Sequence, residues 1–304
     1  MTNWITQEGY PIIHVTRVEN TNQSTITYKL HQEYFLLSQS KVKKNYKWVI
    51  PFTYKFDSDP TDKQIIWLNL TDNEIVVPSS KSKWIFGNLD FMGYYRTNYD
   101  INNWKLIIKQ LKIDHSFFTS TERAALIYDS FTLARVGLID YPLALDLSSY
   151  LNKETEFVPW KSFFKSITYL DNMLSSSSCY GLFQKYCARQ INDIYRTLGW
   201  NDKGTFMQRL LRNHVIKYAS YFEIEDAVKK ARTKFDQYMN GTRNSHDAFI
   251  MSSIIESLAV GTNSKDALEK IGKILSNGAG AATNSVEYAL DQIKSNIKWM
   301  PAIR

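Results

Sequence analysis

Long apolar runs are missing from this sequence. No stretch reaches the roughly 18 residues that a membrane helix needs. The opening MTNWITQEGYPIIHV has neither the charged start nor the apolar core of a signal peptide. A soluble chain, or a soluble piece cut from a longer polypeptide, is expected. Cysteine is scarce too: Cys179 and Cys187 are the two in 304 residues. Both fall in what reads as one helix, where eight residues at about 1.5 Å rise set them roughly 12 Å apart, beyond disulfide reach. No further soft ligands stand near them, so a thiolate metal site is not expected either.

Histidine is sparse and badly spaced for a helical metal site. His14, His31, His115, His214 and His246 contain no i, i+4 pair, so there is no H-E-x-x-H helix. Each is read as a structural or surface residue. No G-x-S-x-G elbow, Walker loop or dinucleotide fingerprint occurs. The Gly/Ala-rich NGAGAATN at Asn277–Asn284 has no strand before it and reads as a connector between helices. From its residues alone the chain offers no catalytic residue, no metal ligand and no cofactor site.

What is present is a globular composition, 44% hydrophobic and 14% aromatic, with room for one large or two ordinary domains. The net charge of +7 raises nucleic acid as a partner, but the charge is diffuse. Residues 1–97 hold 11 Lys/Arg against 9 Asp/Glu, and residues 98–304 hold 26 against 21. Only KVKKNYK at Lys41–Lys47 is a local cluster, and it reads as a solvated loop between strands. No nucleic-acid partner is expected, since such binders concentrate charge on one face.

Two periods divide the chain. From Tyr10 to about Thr97, short alternating runs such as YPIIHVTRV, STITYKL, YKWVIPFTYKF, QIIWLNL and KWIFGN are separated by turn-forming NTNQ, DSDPTDK and PSSKSK. This predicts a small antiparallel β-sandwich over 1–97. After Asp100 the period becomes 3.6, and nine or ten amphipathic helices joined by short loops predict an α-helical solenoid over 98–304. In the first long helix, Thr119 and Glu122 form a capping box and Gly137 supplies the stop. Asp140 and Pro142 open the next one. The fold class is therefore multidomain α+β.

The stretch MGYYRTNYDINNW, Met92 to Trp104, sits where the two periods meet. Its GYYRTNYD…NW closely resembles the GYYRVNYD-x-x-NW signature of the zinc aminopeptidases related to aminopeptidase N. NWITQEGYPIIHV looks like that family's entry into its third domain, and ERAALIYDSFTLARVGLIDYPLALDLSSYLNKETEFVPW like the start of its helical fourth domain. YGLFQKY…Q, LGW at Leu198–Trp200 and YALDQIKSNIKWM are similar to later landmarks, in the same order. The resemblance implies the non-catalytic C-terminal half of such an enzyme. The β-saddle and the thermolysin-like catalytic domain, with GAMEN and HExxH-x18-E, would precede Trp4 and carry the zinc. The chain alone is therefore expected to hold no zinc and to be inactive. In the family, several more helices separate the equivalents of Phe235 and Phe249, so the helical domain is expected to be shortened near 240–248. The family's usual disulfides fall in that lost part.

The resemblance further implies that the helical part closes the substrate chamber and meets the distal end of a peptide. Peptide substrate, the parent's catalytic domain and a second copy of the chain are the expected partners. A stand-alone solenoid interaction module is the alternative. At the junction, Tyr94, Tyr95 and Tyr99 can bury rings while their hydroxyls reach partners. Arg96 and Asp100 can cross-link the junction, and Trp104 can anchor the first helix. A peptide carboxylate is the other reading for Arg96. In QRLLRNHVIK, Arg209 and Arg212 are i, i+3 neighbours near Lys217. Two adjacent guanidiniums call for an anion, either a peptide's C-terminal carboxylate or a carboxylate of a neighbouring helix. Sequons at Asn22, Asn69 and Asn240, together with the resemblance to ectoenzymes, point to an extracellular or lumenal ectodomain. A cytoplasmic location stays open.

Overall fold

A computed structural model describes residues 2–20, 25–37, 45–79, 82–239 and 283–299, with single positions at 255, 269 and 272. The elements run α1 (Thr2–Thr6), β1 (Tyr10–Asn20), β2 (Thr25–Phe35), β3 (Ile50–Phe56), β4 (Gln64–Leu68), β5 (Ile75–Ser79), β6 (Ile85–Gly87) and β7 (Arg96–Tyr99). Then come α2 (Ile101–Ile113), α3 (Ser120–Arg135), α4 (Tyr141–Ser148), α5 (Phe157–Leu174), α6 (Tyr180–Leu198), α7 (Phe206–Tyr221), α8 (Glu225–Met239) and α9 (Thr283–Trp299). The fold is α+β. Asn22, Asn240, Lys41–Lys44, His246 and the expected shortening near 240–248 lie outside the described residues. So do most of two of the expected helices, HDAFIMSSIIESLAVG and SKDALEKIGKILSNG.

The chain divides into two compact units, Met1–Tyr150 with Val158–Ile167, and Leu151–Phe157 with Thr168–Arg304. The hand-over from strand to helix at Tyr99 and Ile101 thus lies within the first unit.

The first unit is built on two sheets, ordered β5-β2-β1-β7 and β4-β3-β6. β1 and β2 form a long hairpin in which Tyr10 faces Phe35 and Asn20 faces Thr25. Alternation decides the inner face: Ile13 and Val15 of β1, and Tyr28 and Leu30 of β2, are all buried. In β3 the inward set is Ile50, Phe52 and Tyr54. Side chains of the two sheets meet, as where the Tyr28 and Phe56 rings lie 5.8 Å apart. Each such large apolar side chain contributes about 1.5–3 kcal/mol on full burial. The antiparallel expectation needs one correction. β7 pairs with β1 in parallel, Ile12 opposite Arg96, so the first sheet is mixed. β7 follows β6 of the other sheet through a 3-10 turn at Leu89–Phe91. It therefore reaches β1 as a crossover strand rather than as a hairpin neighbour.

Helix α2 starts at Asp100, whose carboxylate accepts from the N–H groups of Asn102 and Asn103. It buries Trp104, Ile107, Ile108 and Leu111 at helical spacing. Helix α3 has the expected capping box between Thr119 and Glu122. Gly137, at φ +77°, ends it with N–H bonds from Gly137 to Ala134 and from Leu138 to Leu133. The sequence suggests an amphipathic α3, but Glu122, Arg123, Asp129 and Ser130 are buried along with its apolar stripe. It packs against β7 on one side and α4 on another, and Ser162 of α5 donates to the Ala124 carbonyl. At α4, Asp140 is the N-cap and Pro142 sits in the first turn, without a side-chain capping bond.

In the second unit α6 packs on α7, and α7 on α8. Phe183, Cys187, Ile191 and Ile194 form the inner face of α6, and Leu211, Val215, Ile216 and Ala219 that of α7. Thr205 and Gln208 make a second capping box. Asp171 accepts from both Tyr180 (2.9 Å) and Tyr221 (2.5 Å), tying the end of α5 to α6 and α7. Both cysteines are free thiols, Cys187 buried and Cys179 exposed. No helix among the described residues is long and apolar enough to cross a membrane.

Candidate functional site

The aromatic-rich junction forms a buried polar node around Arg96. Its side chain and that of Asp129 on α3 are each 7% exposed, and Arg96 Nη1 donates to Asp129 Oδ1 at 2.6 Å. Arg96 Nε donates to the Tyr10 hydroxyl at 2.9 Å, and the guanidinium lies 4.3 Å from the centre of the Tyr128 ring. The second carboxylate oxygen of Asp129 accepts from the Thr97 N–H at 3.3 Å. Burial alone would lower the proton affinity of Arg96, but Asp129 and Tyr10 hold it above the ordinary arginine value. The carboxylate thus fixes β7 to α3 while neutralising the cation.

Arg96 and Asp100, four residues apart, take different partners. Asp100 caps α2 and accepts from the Arg17 N–H of β1 at 2.8 Å. Trp104 is fully buried, donates from Nε1 to Asn98 Oδ1 at 3.0 Å, and stands edge-on to Tyr99 at 4.9 Å. The Tyr99 hydroxyl accepts from the Gly87 N–H at 2.9 Å. Tyr95 accepts from the Thr53 N–H and donates to the Pro51 carbonyl. Its burial pushes the phenol up to about 12. Tyr94 differs from the other two tyrosines: it is 71% exposed and touches Trp4 and Tyr10 by ring contacts.

The loop leading into β7 is braced from within by Asn88. Asn88, itself in the left-handed region at φ 61°, accepts from the Gly93 N–H and donates to the carbonyls of Gly93 and Tyr95. Gly93 is required here because a Cβ would lie 2.0 Å from the Tyr95 ring. Above the node this loop borders an open cavity of about 280 Å³. Arg96 lines it together with Tyr10, Phe91, Met92, Tyr94 and Tyr128. Its one cation, Arg96, is paired to Asp129, and the rest of its wall is tyrosine, phenylalanine, methionine and Gly93.

A second cluster sits on α7 in the other unit. Arg212 is buried, donating from Nε to the Leu198 carbonyl (3.1 Å) and from Nη2 to the Lys203 carbonyl (2.7 Å). It thereby closes the loop after α6. Arg209 is 48% exposed, and both guanidiniums approach the same carboxylate, Asp202, at 3.8 and 3.9 Å. Lys217 is half-buried on the same helix. Asn69 is exposed in the turn after β4, where its N–H donates to Asp72.

Several partners in these clusters are given no role by the sequence reading: Asp129, Tyr10, Tyr128, Asn88, Asn98 and Asp202. For Asp129 a signal exists, a carboxylate inside the apolar run AALIYDSF, where only a buried cation makes it tolerable. Another missed residue, Asn103, bonds both the N–H and the carbonyl of Ile85 at 3.0 Å, extending β6 like an added strand residue.

Comparison with known proteins matches residues 84–290 to the family described as ERAP1-like C-terminal domain. Glutamyl aminopeptidase of Homo sapiens is 33% identical over 252 residues, covering 80% of this chain and 25% of that protein. Thyrotropin-releasing hormone-degrading ectoenzyme of Homo sapiens is 31% identical over 259 residues, covering 80% and 24%. Aminopeptidase N of Mus musculus is 33% identical over 256 residues, covering 80% and 25%. The chain spans about a quarter of the length of these relatives.

Proposed function

The chain belongs to the ERAP1-like C-terminal domain family, and from that membership we propose that it is the non-catalytic C-terminal part of a zinc aminopeptidase related to aminopeptidase N. In this reading the two sheets form a small β-sandwich and the later helices a HEAT-like solenoid wall. The wall closes the parent enzyme's substrate chamber and meets the distal part of the peptide. The parent's zinc and its water-activating residues would belong to its catalytic domain, because this sequence has no H-E-x-x-H pair to hold them.

The observation that carries the reading is the locked hand-over from sheet to helices, inside the span matched to the family. Asp129, Asn103 and Trp104 fix α2 and α3 to the sheets through buried hydrogen bonds. Misplacing catalytic geometry by about 1 Å can cost ~10²-fold in rate, so a part that borders a catalytic chamber needs such a stiff junction. Arg209, exposed on α7, is the member of the Arg209, Arg212 and Lys217 trio best placed to meet a peptide carboxylate, since Arg212 is committed to two carbonyls. An extracellular or lumenal location is supported by the exposed sequon at Asn69 and by a relative whose name is ectoenzyme.

The test adds the purified chain to the separately expressed catalytic segment of its parent. The chain alone should not hydrolyse an aminoacyl-anilide, and in trans it should bind the segment and alter its preference for peptide length. Chelator-sensitive hydrolysis by the chain alone, or no association at micromolar concentrations, would overturn the reading.

A further inference from the structure

The long hairpin of the first unit brings together three metal-ligating side chains that lie far apart in sequence. His14 of β1 stands directly opposite His31 of β2. Glu33, two residues beyond His31, points to the same face, diagonal to His14. One ligand atom from each of the three lies within 4.8 Å of the others.

The pair His14–Glu33 is the most telling. His14 Nε2 is buried, has no aligned hydrogen-bond partner among the described residues, and lies 3.2 Å from Glu33 Oε2. The imidazole nitrogen and the carboxylate oxygen at this distance share one cation, either a proton on the ring or a metal ion in its place. Ligands about 2.0–2.1 Å from a tetrahedral zinc are about 3.3 Å from one another, so this separation already fits two adjacent corners of such a site. His31 stacks on His14 with ring centres 4.7 Å apart and planes 10° apart, so its ring must turn to aim a nitrogen at the same point. His31 and Glu33 are both exposed and free to make that adjustment, while half-buried His14 is the fixed member.

We propose that His14, His31 and Glu33 form a binding site for a borderline divalent transition ion of the zinc class, clamping β1 to β2. Two imidazoles and one carboxylate leave a fourth corner for water. This ligand set selects zinc-like ions over magnesium, which prefers six oxygen ligands. The proposal replaces the expectation that this chain holds no zinc. It does not depend on the aminopeptidase reading, since the clamp lies on the hairpin whatever the chain's partners.

Zinc titration of the whole chain by calorimetry tests it, in a Cys179→Ser background that removes the exposed thiol. One zinc should bind per chain, with no heat from magnesium. His31→Gln and Glu33→Gln, both at exposed positions that leave the core intact, should each weaken zinc binding by about tenfold or more. Disturbing even the partners of metal ligands costs ~10–100-fold. His115→Gln should bind zinc as the parent does. Absence of zinc uptake, or equal affinity in His31→Gln and His115→Gln, would overturn the site.

Discussion

Replacing Asp129 by Ala isolates the interaction on which the junction turns. The substitution leaves the Arg96 guanidinium buried, with the Tyr10 hydroxyl and the Tyr128 ring as remaining partners. Removing one partner of a buried ion pair costs about 3–5 kcal/mol, because the other charge stays desolvated and uncompensated. Arg96→Met should cost a similar amount, since it leaves Asp129 with only the Thr97 N–H at 3.3 Å. The double variant Arg96→Met with Asp129→Leu removes both charges and fills the space with apolar atoms. It should cost clearly less than the sum of the singles, giving a coupling of about 2–4 kcal/mol. Urea unfolding followed by tryptophan fluorescence reads mainly the first unit, where Trp48, Trp84, Trp104 and Trp160 are buried. Single variants within about 0.5 kcal/mol of the parent, the range of an exposed surface site, would refute the reasoning. Additive effects in the cycle would refute it too.

Trp104→Ala should destabilise the same unit by roughly 3–5 kcal/mol, the usual cost of truncating a fully buried aromatic; a loss below about 1 kcal/mol in the same assay would contradict its role as anchor. Asn103→Leu should leave the Ile85 N–H and carbonyl without partners, costing about 2–4 kcal/mol at ~1–3 for each group, and should speed hydrogen exchange at the Ile85 amide. Tyr95 gives a pH signature: its folded value of about 12 lies above the ordinary 10, so its contribution is complete below pH 10 and is lost as pH rises toward 12. At ~1.4 kcal/mol per unit the loss is on the order of 2–3 kcal/mol, and Tyr95→Phe should flatten the stability profile over that interval. On α7, Arg212→Met should destabilise the second unit by about 2–3 kcal/mol through its two lost carbonyl bonds. Arg209→Gln, at an exposed site, should stay within about 0.5 kcal/mol, and thermal unfolding compares the two directly.

Sequence by itself determined the elements whose causes are local. The alternation of YPIIHVTRV and STITYKL produced β1 and β2, because a strand's faces are set two residues apart whatever it packs against. The Thr119–Glu122 box and Gly137 marked both ends of α3, because a cap is satisfied within one turn. Family resemblance was legible in GYYRTNYD…NW for the same reason, that a motif is a local string. β5 escaped because a Pro-containing run of five has too few residues to show a period. What only the tertiary structure decided are the partners. Arg96 and Asp129 are 33 residues apart, and nothing in GYYRTNYD says that its cation is answered from α3 rather than from Asp100. His14 and His31 show no metal-like spacing, since that rule assumes a helix. They meet because the hairpin register sets one opposite the other. A hydrogen bond or a ligand set depends on distances of about 3 Å in space, and chain folding, not chain order, fixes those distances.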